Sequence, residues 1–347
     1  MRRLNKQTAL MTAGGVGFLL AARAVVRWWR EYDLRDKVVL ITGGSRGLGL
    51  IMARQLLHQG ARVAICARDD AELEHARRDL DQHQGWVHTV PCDITDQGQV
   101  NTMVQSVQRH FGRIDVLINN AGTIQVGPVE LMTLGDFEEA MKVHFWGPLY
   151  TVLAVLPDMR QRRDGRIVNI SSIGGKVSMP HLLPYNASKF ALVGFSEGLR
   201  AELAKDGIVV TTVCPGLMRT GSPRNAFFKG QHRAEYAWFS ISDALPLLSQ
   251  SAERAACQII AACKRGDAEV VLSFPAKLAT TMQALFPGST ADLLGLVNRF
   301  VLPSPGGIGT ARLAGKESSS QLSPSWLTRL SDKAAERNNE YARGEQR

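Results

Sequence analysis

A doubly wound parallel sheet of the α/β class is predicted by three features of the sequence. Short apolar runs recur at residues 37–42, 62–67, 86–90, 114–118, 167–170, 208–213 and 269–273. Segments of helical length with apolar periodicity separate them. A glycine cluster directly follows the first run. Strands that alternate with helices at this spacing build crossover units, and crossover units build a parallel sheet.

The chain has 347 residues, 45% of them hydrophobic, enough for one large α/β domain with extensions. The predicted organisation is an N-terminal apolar segment at 1–33, a main domain at 34–275 and a C-terminal amphipathic extension with a polar tail at 276–347. The formal charge is +9. Basic residues are spread along the chain without a finger, homeodomain or RNP-like pattern, which argues against a nucleic-acid partner and for an anionic membrane surface. The five cysteines show no metal-ligand spacing and read as core thiols of a reducing compartment.

Residues 7–22 carry no charge, Arg23 interrupts, and Trp28 and Trp29 suit an interfacial belt. A membrane anchor is the preferred reading of this stretch. A cleaved signal around Ala22-Arg23-Ala24 and a plain amphipathic helix are the alternatives. The cysteines read as reduced, so the main domain is expected on the cytosolic side of the membrane.

The run at 37–42 feeds Gly43-Gly44-Ser45-Arg46-Gly47-Leu48-Gly49 and then an apolar-periodic helix. Strand, glycine turn and helix start form a phosphate cradle: glycine admits close backbone approach, and the helix N-terminus favours an anion. The spacing differs from the common G-x-G-x-x-G fingerprint, and a glycine turn without a ligand is the plainer alternative. At the end of the second strand, Arg68 stands where an acidic residue would hold a ribose hydroxyl, and Arg46 lies in the turn. Two guanidinium groups suit a 2′-phosphate, which favours NADP(H) over NAD(H). Asp69 and Asp70 weigh mildly the other way, although they also suit helix caps. Asp93, after the third strand, is placed either to hydrogen-bond an adenine or to cap a helix from Thr95. The fourth strand runs into Asn119-Asn120-Ala121-Gly122, where small residues would let the backbone lie against a cofactor and Asn119 could tie strands together.

A long helical segment at 134–162 precedes the strand that ends in Ser171-Ser172. Tyr185 and Lys189 follow, four residues apart and therefore on one helix face. A phenol, with a pKa of about 10, exchanges protons poorly at neutral pH, and a nearby ammonium would lower that value. A phenol tuned in this way suits general acid–base work on a carbonyl/alcohol pair, with a serine hydroxyl bonding the developing alkoxide. A surface Tyr/Lys pair is the bland alternative.

Together these motifs resemble the classical short-chain dehydrogenase/reductase family over residues 34–275. The matching positions are Thr42-Gly43-x-x-x-Gly47-x-Gly49, Asn119-Asn120-Ala121-Gly122, Ser172, Tyr185-x-x-x-Lys189, and Pro215-Gly216 with Thr220. The resemblance implies a Rossmann-type single domain. It makes Tyr185 the proton donor and acceptor, Ser172 the residue that orients the carbonyl, and Lys189 the holder of the nicotinamide ribose. It implies dinucleotide contacts at Gly43, Ser45, Arg46, Gly47, Leu48, Gly49, Arg68, Asp93, Asn119, Ala121, Gly122, Tyr185, Lys189, Pro215, Gly216 and Thr220. One departure stands out: where the family has an asparagine in a Val-Asn-x-x-Gly context, this chain has Val143-His144-Phe145-Trp146-Gly147, and His144 is expected either to share in the proton relay or only to pack.

Beyond these motifs, bulky residues between 217 and 239 suggest a lid over a large apolar substrate, or a local core. Residues 277–302 show helical apolar spacing suited to packing on the body or on a partner subunit of a homo-oligomer; membrane contact is the alternative. Residues 303–324 read as a linker and 326–341 as a polar helix or tail. The function expected is NADP(H)-dependent interconversion of a carbonyl and an alcohol on an apolar, lipid-like substrate. A nucleotide-binding scaffold or sensor without turnover, and an isomerase or dehydratase on the same fold, are the competing classes.

Overall fold

The structure, a computed structural model, describes residues 31–83, 85–320, 323 and 328–341. The expected anchor at 7–22 and the tryptophans after it lie outside these residues. Among the described residues, no helix is long and apolar enough to cross a membrane.

The main unit alternates strand and helix: β1 (Val38–Thr42), α1 (Gly47–His58), β2 (Arg62–Ala67), α2 (Asp70–Asp81), β3 (Val87–Pro91), α3 (Gln97–Phe111) and β4 (Val116–Asn119). A two-residue strand, β5 (Gln125–Val126), precedes α4 (Leu134–Met141), a π-helical turn (Lys142–Trp146) and α5 (Gly147–Arg162). Then come β6 (Gly165–Ile170), α6 (Leu183–Leu203) and β7 (Ile208–Pro215). Next come β8 (Met218–Arg219), α7 (Ser222–Asn225), β9 (Phe227–Phe228) and α8 (His232–Ala244). The remainder is β10 (Gln250–Ser251), α9 (Ala252–Arg265), β11 (Glu269–Leu272), α10 (Phe274–Leu285), α11 (Pro287–Phe300), β12 (Leu313–Ala314) and α12 (Arg329–Arg337).

Seven strands form one parallel sheet in the order β3-β2-β1-β4-β6-β7-β11. Both faces are buried, as parallel sheets require, and strand alternation divides the core in two. Val39, Ile41, Val63 and Ile65 face α1, α2 and α9. Val38, Leu40, Ala64 and Cys66 face α3, α5 and α6. Strand order reverses between β1 and β4, so their carboxyl ends open the crevice where such sheets bind ligands.

Local chemistry sets the boundaries. Asp69 caps α2 by accepting from Glu72 N at 2.8 Å, and Asp96 caps α3 by accepting from Gln99 N at 3.0 Å. Gly112, at φ 88°, ends α3 in the left-handed region that favours glycine. The expected helix from Thr95 therefore starts two residues later, at Gln97. The helical segment at 134–162 is continuous except for the π turn, which carries His144.

Three stretches beyond the motifs take definite form. Residues 277–302 form two helices, because Phe286-Pro287 breaks the run, and they do not pack their apolar rows on the body: Leu285 is 66% and Phe300 71% exposed. The stretch expected to be a linker contributes β12, which pairs antiparallel with β9 and completes a three-stranded sheet with β5. Of the bulky lid residues, Phe228, Tyr236 and Phe239 are buried against one another as a small core rather than lining an open surface.

Candidate active site

The carboxyl edge of the sheet brings the predicted residues together. At β1, the Thr42 hydroxyl accepts from Asn120 N at 3.0 Å and Ala121 N at 3.2 Å, which binds the turn after β4 to the glycine turn. A side chain on Gly43 would meet Ala121 Cα at 2.8 Å, and one on Gly49 would meet Gly43 O at 2.2 Å, so the two turns touch only because glycine is present. A Cβ on Gly122 would lie 3.2 Å from His144 Nε2, and one on Gly216, just after Pro215 ends β7, 2.6 Å from Ser273 Oγ. Buried Thr220 donates to Ser222 Oγ at 2.8 Å.

Asn119 does tie strands. It donates to Asn169 Oδ1 on β6 at 2.9 Å and accepts from Thr151 Oγ1 on α5 at 2.7 Å. Ser196 Oγ accepts from Asn169 Nδ2 at 3.0 Å and from Thr212 Oγ1 of β7 at 2.7 Å. This buried network locks the strand ends that carry Ser172 and the Pro215 turn.

The Ser172 hydroxyl accepts from Gly174 N at 3.0 Å, which orients it at the end of β6. Tyr185 lies one turn inside α6, its phenol hydrogen-bonded with Ser172. Lys189 is buried, donates to Ile170 O at 2.9 Å, and has its Nζ 5.7 Å from the Tyr185 ring centre. The expected depression of the phenol pKa is not seen in this geometry. Burial pushes Tyr185 up to about 12 against the opposing Ser172 bond. Burial likewise drives Lys189 down to about 7, with no carboxylate among the described residues offsetting it.

His144 is fully buried, with its ring edge toward Tyr185 at 5.4 Å. Its Nε2 accepts from Thr123 N at 3.1 Å, so the ring proton sits on Nδ1, which meets Ser188 Oγ at 2.7 Å. Ser188 in turn donates to Tyr185 O at 2.8 Å. Burial and the nearby Lys189 hold the imidazole neutral, well below its usual pKa. Ser188 and Thr123 were not singled out by sequence, although Ser188 lies inside the Tyr185–Lys189 motif.

The cofactor-facing arginines differ from each other. Arg68 is exposed at the end of β2. Arg46 pairs with Glu72 at 2.7 Å, and Glu72 also accepts from Ser45 Oγ at 3.0 Å. Asp93 accepts from Thr95 N and Oγ1 at 2.9 and 2.8 Å in a local turn, and the helix cap that was the alternative to adenine binding falls to Asp96 instead. Leu48 packs into the core cluster beside α1. The glycine turn suits an oxygen anion: α1 has no side-chain cap of its own, and an acidic side chain, Glu340, reaches Gly47, where a Cβ would lie 2.9 Å from its Oε1.

Known proteins resemble this chain in sequence and fold. The family pattern described as short chain dehydrogenase matches residues 37–228. A dehydrogenase/reductase SDR family protein 7-like of Anopheles gambiae is 38% identical over 246 residues, covering 69% of this chain and 76% of that protein. A fatty acyl-CoA reductase of Acinetobacter baylyi is 37% identical over 190 residues, 54% of this chain and 64% of that protein. The solved short-chain dehydrogenase of Streptomyces avermitilis superposes with a TM-score of 0.66 at 30% identity, covering 76% of this chain and 97% of that one. The chain belongs to the short-chain dehydrogenase family and is an oxidoreductase acting on CH–OH and C=O groups.

Proposed function

We propose that the protein is an NADP(H)-dependent reductase/dehydrogenase that interconverts a carbonyl and an alcohol on an apolar, lipid-like substrate, with Tyr185 as general acid and base. The observation that carries this reading is the convergence of Tyr185, Ser172 and Lys189 at the crevice beside the glycine turn. When bound, the dinucleotide supplies or takes the hydride. Gly47, Leu48 and the uncapped start of α1 would hold its diphosphate, and Arg46 and Arg68 its 2′-phosphate. In the reducing direction the Tyr185 hydroxyl donates its proton to the carbonyl oxygen, while Ser172 holds that oxygen with a second hydrogen bond. Lys189, held by Ile170 O beside the Tyr185 ring, would hold the nicotinamide ribose. His144, locked as the Nδ1–H tautomer, positions the start of α6 through Ser188 and does not act as a base.

The lipid-like substrate is supported by the name of the Acinetobacter relative and by the apolar rows exposed on α10 and α11. Those rows and the uncharged stretch at 7–22 also support association with a membrane, the catalytic domain on the cytosolic side.

The test is a panel of apolar ketones, aldehydes and alcohols, long-chain acyl derivatives included, with NADPH or NADH absorbance followed in purified protein. Turnover should be found with NADPH in preference to NADH. Tyr185→Phe should lower turnover by at least the roughly 10²–10⁴-fold that general acid–base catalysis contributes, with dinucleotide binding retained. Near-normal activity in that variant rejects the assignment.

A further inference from the structure

The glycine turn is already engaged by the far end of the chain. Gly47 N donates to Asn338 O at 2.9 Å. Asn339 Nδ2 donates to Ser45 O at 2.9 Å and to Glu72 O at 3.3 Å. The Glu340 carboxylate accepts from Gly221 N, one residue past Thr220, and its other oxygen lies against Gly47. Arg54 of α1 fixes the approach, donating to Asn338 Oδ1 at 2.8 Å and Arg337 O at 3.0 Å. Arg224 stacks on the Tyr341 ring at 4.0 Å. One acidic side chain thus bridges the glycine turn and the Thr220 loop, the two walls between which a dinucleotide diphosphate would lie.

The attachment is built to release. Helix α12 has nine residues, short of the about 12–15 at which an isolated helix becomes even marginally stable. Within it the buried residues are Ser331, Asp332, Ala334 and Ala335, so no large apolar side chain of the helix anchors it. Ser331 Oγ is buried without a hydrogen-bond partner among the described residues. Against this weak packing stand polar bonds on the turn and the loop facing it, and two of them, from Gly47 N and Gly221 N, are bonds a diphosphate oxygen could accept instead.

We propose that residues 337–341 form an autoinhibitory strap, in which Asn338 and Glu340 occupy the backbone donors of the diphosphate site and the dinucleotide must displace them. This rests on the cofactor reading above and adds a regulation to the same site. The strap lowers apparent dinucleotide affinity by the fraction of molecules in which it is released.

Equilibrium binding of NADPH and of NADH to the full chain and to its Glu340→Ala and Asn339→Ala variants tests this. Asn339→Ala leaves the charge unchanged and so separates strap release from the removal of a carboxylate. A strap docked in nine of ten molecules raises the apparent Kd about tenfold, so both variants should bind up to about tenfold more tightly. Hydrogen exchange in the wild-type protein should quicken at residues 337–341 when NADPH saturates, with thermal unfolding confirming that the variants are folded. Weaker binding by the variants, or slower exchange on saturation, overturns the proposal and makes the segment a clamp on bound dinucleotide. Equal tight binding by all three proteins overturns the strap and leaves the oxidoreductase reading standing. Failure of all three to bind either dinucleotide overturns both.

Discussion

Two hydrogen bonds decide what His144 can do. Thr123 N–H occupies Nε2 and Ser188 Oγ occupies Nδ1 of a ring that is itself fully buried. A ring held this way is a spacer with a donor at one end and an acceptor at the other. An asparagine offers the same pair of functions, so His144→Asn should keep most of the activity. His144→Phe takes the acceptor away from the half-buried Thr123 N–H and the partner away from buried Ser188, a loss of about 1 kcal/mol or more. Its Tm should fall while the pH profile of any residual turnover keeps its shape. A profile that changes in His144→Asn, with the fold and dinucleotide affinity intact, would show that the imidazole moves protons after all. The residues that were readable in the sequence share a property with this one. Ser172, Tyr185 and Lys189 sit at strand ends or at i, i+4 on a helix, so their meeting follows from local spacing. Their pKa values did not follow, because burial dominates both Tyr185 and Lys189 and burial depends on packing between elements distant in sequence.

At the scale of elements, the strap carries a pH dependence with a definite sign. Burial pushes Glu340 up to about 7, against an opposing hydrogen bond from Gly221. Arg46 from the glycine turn and Arg224 from α7 lower it, and Glu72 from α2 raises it. Asp243 of α8, itself raised to about 8 by burial, also senses its charge. A carboxyl group whose pKa rises on docking takes up a proton when it docks, so docking is favoured at low pH and weakens as pH climbs toward 7. Dinucleotide affinity limited by the strap should accordingly improve between about pH 5 and pH 7 and level off above it. NADH, which lacks the titrating 2′-phosphate, is the probe for this measurement, and the slope should disappear in Glu340→Gln. A slope that persists in Glu340→Gln belongs to another group. The strap was invisible in the sequence for a physical reason. Glu340 and Gly221 meet across 119 positions, and a polar tail has no periodicity that registers a contact so distant. The aromatic lid shows the reverse ambiguity: bulky residues mark either a pocket wall or a core, and only the packing of Phe228 on Tyr236 and Phe239 decides for core.

Across the whole molecule, the sheet order was legible because its cause is repetitive: apolar runs, helical spacing, and glycine after the first strand. What covers the outer surface was not, since apolar spacing on a helix specifies a buried face without naming its partner. Helices α10 and α11 pose that question directly. Phe274, Leu278, Leu285, Phe286, Leu293 and Phe300 are all exposed, and these two helices carry Lys277 and Arg299 against Asp292. Isolated exposed apolar residues are ordinary, but a contiguous apolar set on adjacent helices marks a contact surface. A weakly basic apolar surface fits an anionic lipid interface, and the uncharged stretch at 7–22 would bring the domain to one. The full chain should therefore sediment with membranes after cell fractionation, keeping its N-terminal residues, and protease added outside intact cells should not reach the catalytic domain. A shortened chain beginning at Asp33 should be more soluble yet still bind vesicles containing phosphatidylserine. Replacing Leu285 and Phe286 with serine in that shortened chain should weaken vesicle binding without lowering dinucleotide affinity. If the serine replacements instead turn a dimer into a monomer and leave vesicle binding unchanged, the two helices join copies of the chain. A mature N-terminus near Val25 would show that the leading segment is removed, and would leave α10 and α11 as the remaining route to the membrane.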